Sequence, residues 1–250
     1  MATVLDIYNF IDSIAPFSSQ VEWDNSGLLI GDKNADVKKI AVCLDATSFA
    51  IDEAIKFGAD LIVTHHPIIW DPLKFVPSDT PVAKAIRNRL NVISCHTNWD
   101  AADGGVNCVL ATLLGLNETE KMGEGELSML RVGTLPVTMT AKDLAGLVSD
   151  ALDTVVSVAL PEKEVKTVAV CGGAGASFLP DILGKADVLV TGEAKHNQYL
   201  DAKEMGISLI SAGHYETENI SMPVLLNLLK AEFSNLEFTF IEEPTVLYVG

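Results

Sequence analysis

An α/β fold built from two related lobes is what the sequence predicts, and three observations carry that expectation. Short apolar runs suited to buried strands alternate with helical stretches, the pattern of βαβ units. Three segments of the first half recur in the same order in the second. Four of the five histidines, His65, His66, His96 and His214, fall at or within a residue or two of the end of a strand-like run. Those are the places where open α/β sheets bind their ligands. The expected architecture is an internal duplication, with lobes at residues 1–125 and 126–250 whose strand ends face a shared cleft.

Taken in order, Val4, Ile7, Tyr8 and Ile11 give helical spacing over residues 3–14, with Thr3 as a cap. Residues 22–31 read as a turn and a short strand, with Asp24 and Asn25 as turn formers or as the edge of a site. A βαβ unit follows: strand 40–44, helix 50–57 ended by Gly58, and strand 60–64. That second strand runs straight into His65 and His66, and Pro67 stops it. Helix 81–89 leads to strand 91–94, which delivers Cys95, His96 and, four residues on, Asp100. Gly104 and Gly105 turn the chain into helix 106–114. Residues 117–128, polar and glycine-containing, read as the link between halves. Strand 130–135, a helix over 141–151 capped by Thr140, and strand 155–160 come next. A helix over 220–232 and strand-like runs at 238–241 and 246–249 form the tail.

The repeat is visible residue by residue. Residues 165–171 echo 37–43, residues 185–191 echo 57–64, and residues 207–214 echo 90–96. His214 stands at the end of the third repeated segment, as His96 does in the first half.

Charge narrows the function classes. Lys plus Arg number 17 and Asp plus Glu 34, a formal charge of −17. Such a surface opposes non-specific nucleic-acid binding, although a nucleotide held through metal remains compatible with it. No apolar run reaches the ~18 residues of a membrane helix, and the first residues lack a basic region and a hydrophobic signal core, so a cytoplasmic protein is expected. The four cysteines form no C-x-x-C pair and read as buried, reduced thiols.

The residues with metal chemistry are His65, His66, Asp100, His214 and Glu218, three imidazoles and two carboxylates. His214 and Glu218 are four apart, so a helix starting at His214 would project both from one face. One catalytic zinc takes three protein ligands plus water. Five ligands suit two divalent transition metals about 3.5–4 Å apart, of the Zn, Fe, Mn, Co or Ni class.

Thr64-His65-His66-Pro67, His96-Thr97-Asn98-x-Asp100, Gly104-Gly105-Val106-Asn107, Thr191-Gly192-Glu193 and Gly213-His214-Tyr215-x-Thr217-Glu218 together resemble the motifs of the GTP cyclohydrolase I type 2 homologue family, the Nif-three-like proteins. Glu22-Trp23-Asp24-Asn25-x-Gly27 resembles that family's N-terminal motif, and the likeness runs from about residue 5 to the C-terminus. The resemblance implies a dinuclear site on His65, His66, Asp100, His214 and Glu218, with Glu218 bridging. It places His96 beside the metals, and it implies a hexamer of this chain. It also marks the chain as a short form, without the domain that many relatives insert in mid-chain.

Two function classes follow. In the first, the protein is a metal-dependent hydrolase of a nucleotide, heterocycle or phosphoester, with His96 and Glu193 as general acid and base. No Walker-type phosphate loop is present, and Gly172-Gly173-Ala174-Gly175-Ala176 reads as a tight turn or a phosphate cradle. In the second, the same ligands store, deliver or sense metal, or serve a partner protein.

Overall fold

A computed structural model describes residues 2–244, so the strand-like run expected over 246–249 lies outside the described residues. The first two described residues, β1 (Ala2–Thr3), lead into α1 (Val4–Ile14), which buries Val4, Ile7 and Ile11. A capping box starts this helix: Asp6 N–H donates to Thr3 Oγ1 and Thr3 N–H to Asp6 Oδ2. Then come β2 (Gly27–Ile30), β3 (Asp36–Val37), which pairs antiparallel with β1, and β4 (Lys39–Cys43). Helix α2 (Ser48–Phe57) starts on the Thr47 side chain and stops at Gly58, whose φ of 78° favours glycine. Strand β5 (Leu61–Thr64) is wholly buried, as its Leu-Ile-Val run favours. Helix α3 (Pro81–Arg87), with Pro81 in its first turn, precedes β6 (Asn91–Ser94). A short buried helix, α4 (Thr97–Ala101), follows His96; its length is below what periodicity can register.

A second compact unit spans Gly104–Ser221. It begins with α5 (Val106–Leu113), β7 (Asn117–Lys121), β8 (Arg131–Thr140) and α6 (Ala141–Leu152). The stretch expected as a link is instead an edge strand and a 3-10 turn at Gly125–Met129. All five residues of β7 are exposed, so no apolar alternation marks it; its backbone pairing with β8 holds it. The unit continues through β9 (Ser157–Ala159), β10 (Glu164–Cys171), β11 (Val188–Thr191), α7 (His196–Met205), β12 (Ser208–Ser211) and α8 (His214–Asn219). Its sheet has the order β7-β8-β10-β11-β12-β9, with β10, β11 and β12 parallel. Leu110, Leu144, Val148, Val168, Val190 and Ile210 lie in its core.

The chain then returns to the first unit through α9 (Met222–Glu232) and β13 (Glu237–Phe240). Strand β13 pairs in parallel with β4, placing Phe238 opposite Ile40, and Ile241 joins the core with Ile51 and Val92. The first sheet is therefore β13-β4-β5-β6-β2. The division differs from one at residue 125: the break falls after Asp103, and residues 222–244 belong with the first unit. The reason is the pairing of β13 with β4, far apart in sequence, which local sequence cannot announce.

The repeated segments form equivalent rows. In the first sheet Cys43 registers with Thr64 and Thr64 with Ser94. In the second, Cys171 registers with Thr191 and Thr191 with Ser211. Each row closes three parallel strands just before the residues of chemical interest.

Candidate metal centre

In the first unit, β5 ends at Thr64, whose hydroxyl bonds to the His66 carbonyl and to Ser94 Oγ, each at 2.8 Å. The backbone N–H groups of His65 and His66 both donate to the Leu44 carbonyl. The strand end is thus fixed before either imidazole is considered. His65 is fully buried, and its Nδ1 lies 2.8 Å from the Cys95 carbonyl oxygen. A carbonyl only accepts, so Nδ1 carries the proton and Nε2 of the neutral ring presents a lone pair. His66 repeats the arrangement, with Nδ1 2.7 Å from Asp45 Oδ1. His96 does so again, with Nδ1 2.9 Å from Asp24 Oδ1. Three imidazoles are therefore set in one tautomer, the one metal-binding histidines take from a carboxylate or carbonyl behind them. One ring nitrogen from each of His65, His66 and His96 lies within 4.8 Å of the others, so these three could hold an ion.

Asp100 comes from α4, where its N–H donates to the His96 carbonyl at 3.0 Å. Its Oδ1 stands 3.6 Å from His65 Nε2. Two ligands about 2.1 Å from one ion lie roughly 3.0–3.4 Å apart at octahedral or tetrahedral angles, so this separation is close to what a shared ion needs.

Asp24 is more than a turn former. Its side chain is fully buried and also accepts from Thr97 N–H, Thr97 Oγ1 and Ser26 Oγ. Burial alone would raise its pKa, but the hydrogen bond from His96, with those from Thr97 and Ser26, outweighs it. The carboxyl is held well below the ordinary range. Asp45 was not singled out by sequence. The signal was available: it stands two residues beyond β4, as His65 and His66 stand beyond β5.

In the second unit, β12 leads through Gly213, at φ 87°, into α8. The helix begins at His214, so His214 and Glu218 share a face, with Nε2 3.1 Å from Glu218 Oε2. Glu193 Oε1 lies 3.3 Å from His214 Nδ1 and gives it the same backing that Asp45 gives His66. A carboxylate oxygen and an imine nitrogen at 3.1 Å repel unless a proton or a cation lies between them. Glu218 itself is buried. A Cβ on Gly173 would stand 2.1 Å from Glu218 Oε1 and 3.1 Å from His214 Nε2, so the glycine makes the cradle for this pair. Thr217 Oγ1 accepts from Gly173 N–H at 3.0 Å, and Asn107 Oδ1 from Gly172 N–H at 2.7 Å. The glycine-rich turn after β10 therefore serves Glu218. On these observations the donors fit a divalent transition metal of the imidazole–carboxylate class.

Lys195 and His196, at the start of α7, are exposed. Cys43, Cys95 and Cys171 are buried free thiols, and burial raises the pKa of Cys43 and Cys95. Among the described residues no cysteine joins a group able to hold metal.

Two α/β units with imidazole and carboxylate donors at their strand ends define the class. Residues 2–245 match the model of the Duf34/NIF3 (NGG1p interacting factor 3) family, and the chain belongs to that family. A GTP cyclohydrolase 1 type 2 homolog of Clostridium perfringens is 35% identical over 235 residues, covering 89% of this chain and 88% of its own. One from Pyrococcus abyssi is 31% identical over 252 residues, covering 97% and 98%. Among solved structures, reduced HcgD from Methanocaldococcus jannaschii superposes with a TM-score of 0.86 at 27% identity, over 97% of this chain and 98% of that one. A Bacillus cereus protein related to NIF3 gives a TM-score of 0.92 at 22% identity, over 100% and 99%, a likeness of fold.

Proposed function

We propose that the donors of both units, His65, His66, Asp100, His214 and Glu218, hold two divalent transition-metal ions, and that the protein is a metal-dependent hydrolase of a nucleotide, heterocycle or phosphoester. One observation carries the reading. Each of these histidines, and His96, has its Nδ1 against an oxygen acceptor, which leaves Nε2 as the ligating atom. Such ions supply Lewis acidity and activate water near neutral pH. The chain's own residues do the remaining work. His96, locked by Asp24, offers Nε2 to a substrate proton. Glu193, 61% exposed, bonds His214 and faces water at once, which suits a group that relays a proton to solvent.

A second reading, metal storage, delivery or sensing, draws on the 34% exposure of His214 and the −17 charge, both of which favour exchange of cations with solvent. The two readings part on turnover. Metal-loaded protein assayed against nucleotides and phosphoesters should show activity that Glu218→Gln abolishes. Inert protein that passes its metal to a chelating acceptor supports the second reading. We further propose a cytoplasmic homo-oligomer, a hexamer, on the family resemblance. Light scattering that returned the single-chain mass of 26.7 kDa would refute it. Among the described residues no helix is long and apolar enough to cross a membrane.

A further inference from the structure

Two of the three tryptophans stand beside the histidine set with much of their surface in water. Trp23 is 57% exposed and Trp70 48%, whereas Trp99 is buried. Both exposed indoles meet the same imidazole edge to face. The Trp23 ring centroid lies 5.9 Å from that of His96, and the Trp70 centroid 5.0 Å from it. Trp70 also tilts against His66 at 6.2 Å.

This placement is built rather than incidental. Trp23 precedes Asp24, whose carboxylate is fixed by His96, Thr97 and Ser26. Trp70 follows Ile69, whose carbonyl accepts from Asn25 Nδ2 at 2.7 Å. One turn, Asp24-Asn25, therefore holds both indoles around His96. Trp70 belongs to residues 65–80, a stretch without helix or strand that is longer than connections in compact domains usually are, and such stretches tend to carry function. The contacts to His96 hold each indole while about half of each side chain stays in water. A fixed, wetted indole face is the surface on which a planar ring stacks, whatever its hydrogen-bonding pattern.

We propose that Trp23 and Trp70 form a stacking platform for a planar heteroaromatic ring, and that they seat it beside Nε2 of His96. The proposal narrows the substrate class of the hydrolase reading, and rests on that reading for what happens to the ring afterwards. Capture of the ring itself requires no metal.

Calorimetric titration of the full chain tests this, once chelator-treated and once zinc-loaded. Guanosine is set against ribose, and nicotinamide against cyclohexanecarboxamide, so each aromatic probe has a saturated counterpart. The expected result is saturable binding of the aromatic member of each pair in both preparations. Trp23→Ala and Trp70→Ala should each weaken it roughly 5- to 150-fold. Trp23→Phe and Trp70→Phe should restore most of it, since a smaller aromatic face remains. Both side chains are exposed, so the variants should fold, and unchanged circular dichroism confirms it. Equal binding of saturated and aromatic probes, or alanine variants that bind like wild type, overturns the proposal. So does failure of wild type to bind any ring together with a fall in oligomer mass in the alanine variants, because the indoles are then a contact with a second copy. Zinc content measured on the same samples separates this from the metal reading: lost ring binding with zinc retained bears on the platform alone, and retained ring binding without zinc leaves the platform standing.

Discussion

Gly173→Ala puts the cradle of Glu218 to a direct test. Gly173 sits at φ +59°, where an alanine costs about 1 kcal/mol in backbone strain. Its new Cβ would stand 2.1 Å from Glu218 Oε1, so the carboxylate must retreat by more than an ångström to reach ordinary contact. Metal–ligand distances tolerate only about 0.2 Å. Losing a properly placed ligand of this kind should weaken metal binding at least ten- to hundredfold, about 1.4–2.7 kcal/mol. Gly184→Ala separates strain from contact: its φ is +74°, and a Cβ there meets nothing within 4 Å. When chelator-treated, Gly184→Ala should lose in urea about the cost of strain alone, and Gly173→Ala at least that much, since its Cβ meets Glu218 with or without metal. Only Gly173→Ala should lose zinc or manganese affinity in a competition titration. Wild-type affinity in Gly173→Ala, or equal loss in both variants, would refute the reasoning.

Asp24 predicts an acid limb. Its folded-state pKa lies below the ordinary 3.8, so the unfolded chain binds more protons across that window. Its contribution is fully present above pH 3.8 and is lost as pH falls through the folded value; Asp24→Asn should flatten the acid limb of a urea-stability profile, and an unchanged limb would contradict it. Asp45→Ala removes the acceptor behind His66 Nδ1 and should weaken metal binding roughly ten- to hundredfold with little change in fold, read by metal titration and circular dichroism.

Much of the fold was legible because it is local. Helix α1 shows its cap and its buried stripe in consecutive residues, and Gly58 and Pro81 mark helix ends by backbone chemistry. The row Cys43, Thr64, Ser94 and its counterpart Cys171, Thr191, Ser211 could be matched in sequence before their register was seen. His65 and His66 declared themselves because a buried strand has no reason to end in two imidazoles. What escaped depends on partners distant in sequence. Asp24 looks like any turn aspartate until His96, 72 residues on, is found against it. Asp45 gains its meaning only from His66, 21 residues away. Strand β13 joins β4 from the far end of the sequence, and α7 lacked an apolar stripe, with Ala202 its one buried residue. His96, placed beside the metals by resemblance, falls with His65 and His66 in one group that could hold an ion.

Metal stoichiometry tests the central claim most directly. Gently purified protein should carry about two transition-metal ions per chain by elemental analysis. A bridging carboxylate offsets the repulsion between two nearby dications, which is large where the dielectric is low. Glu218→Gln keeps the shape and removes the charge, so it should lower occupancy of both ions. Asp100→Asn should lower mainly one, and Lys195→Ala, on an exposed helix start, should lower neither. Near-stoichiometric loss in Glu218→Gln with one ion retained in Asp100→Asn is the predicted result. Two ions bound to Glu218→Gln with wild-type affinity, or a wild-type protein that binds only magnesium or a single ion, would contradict it.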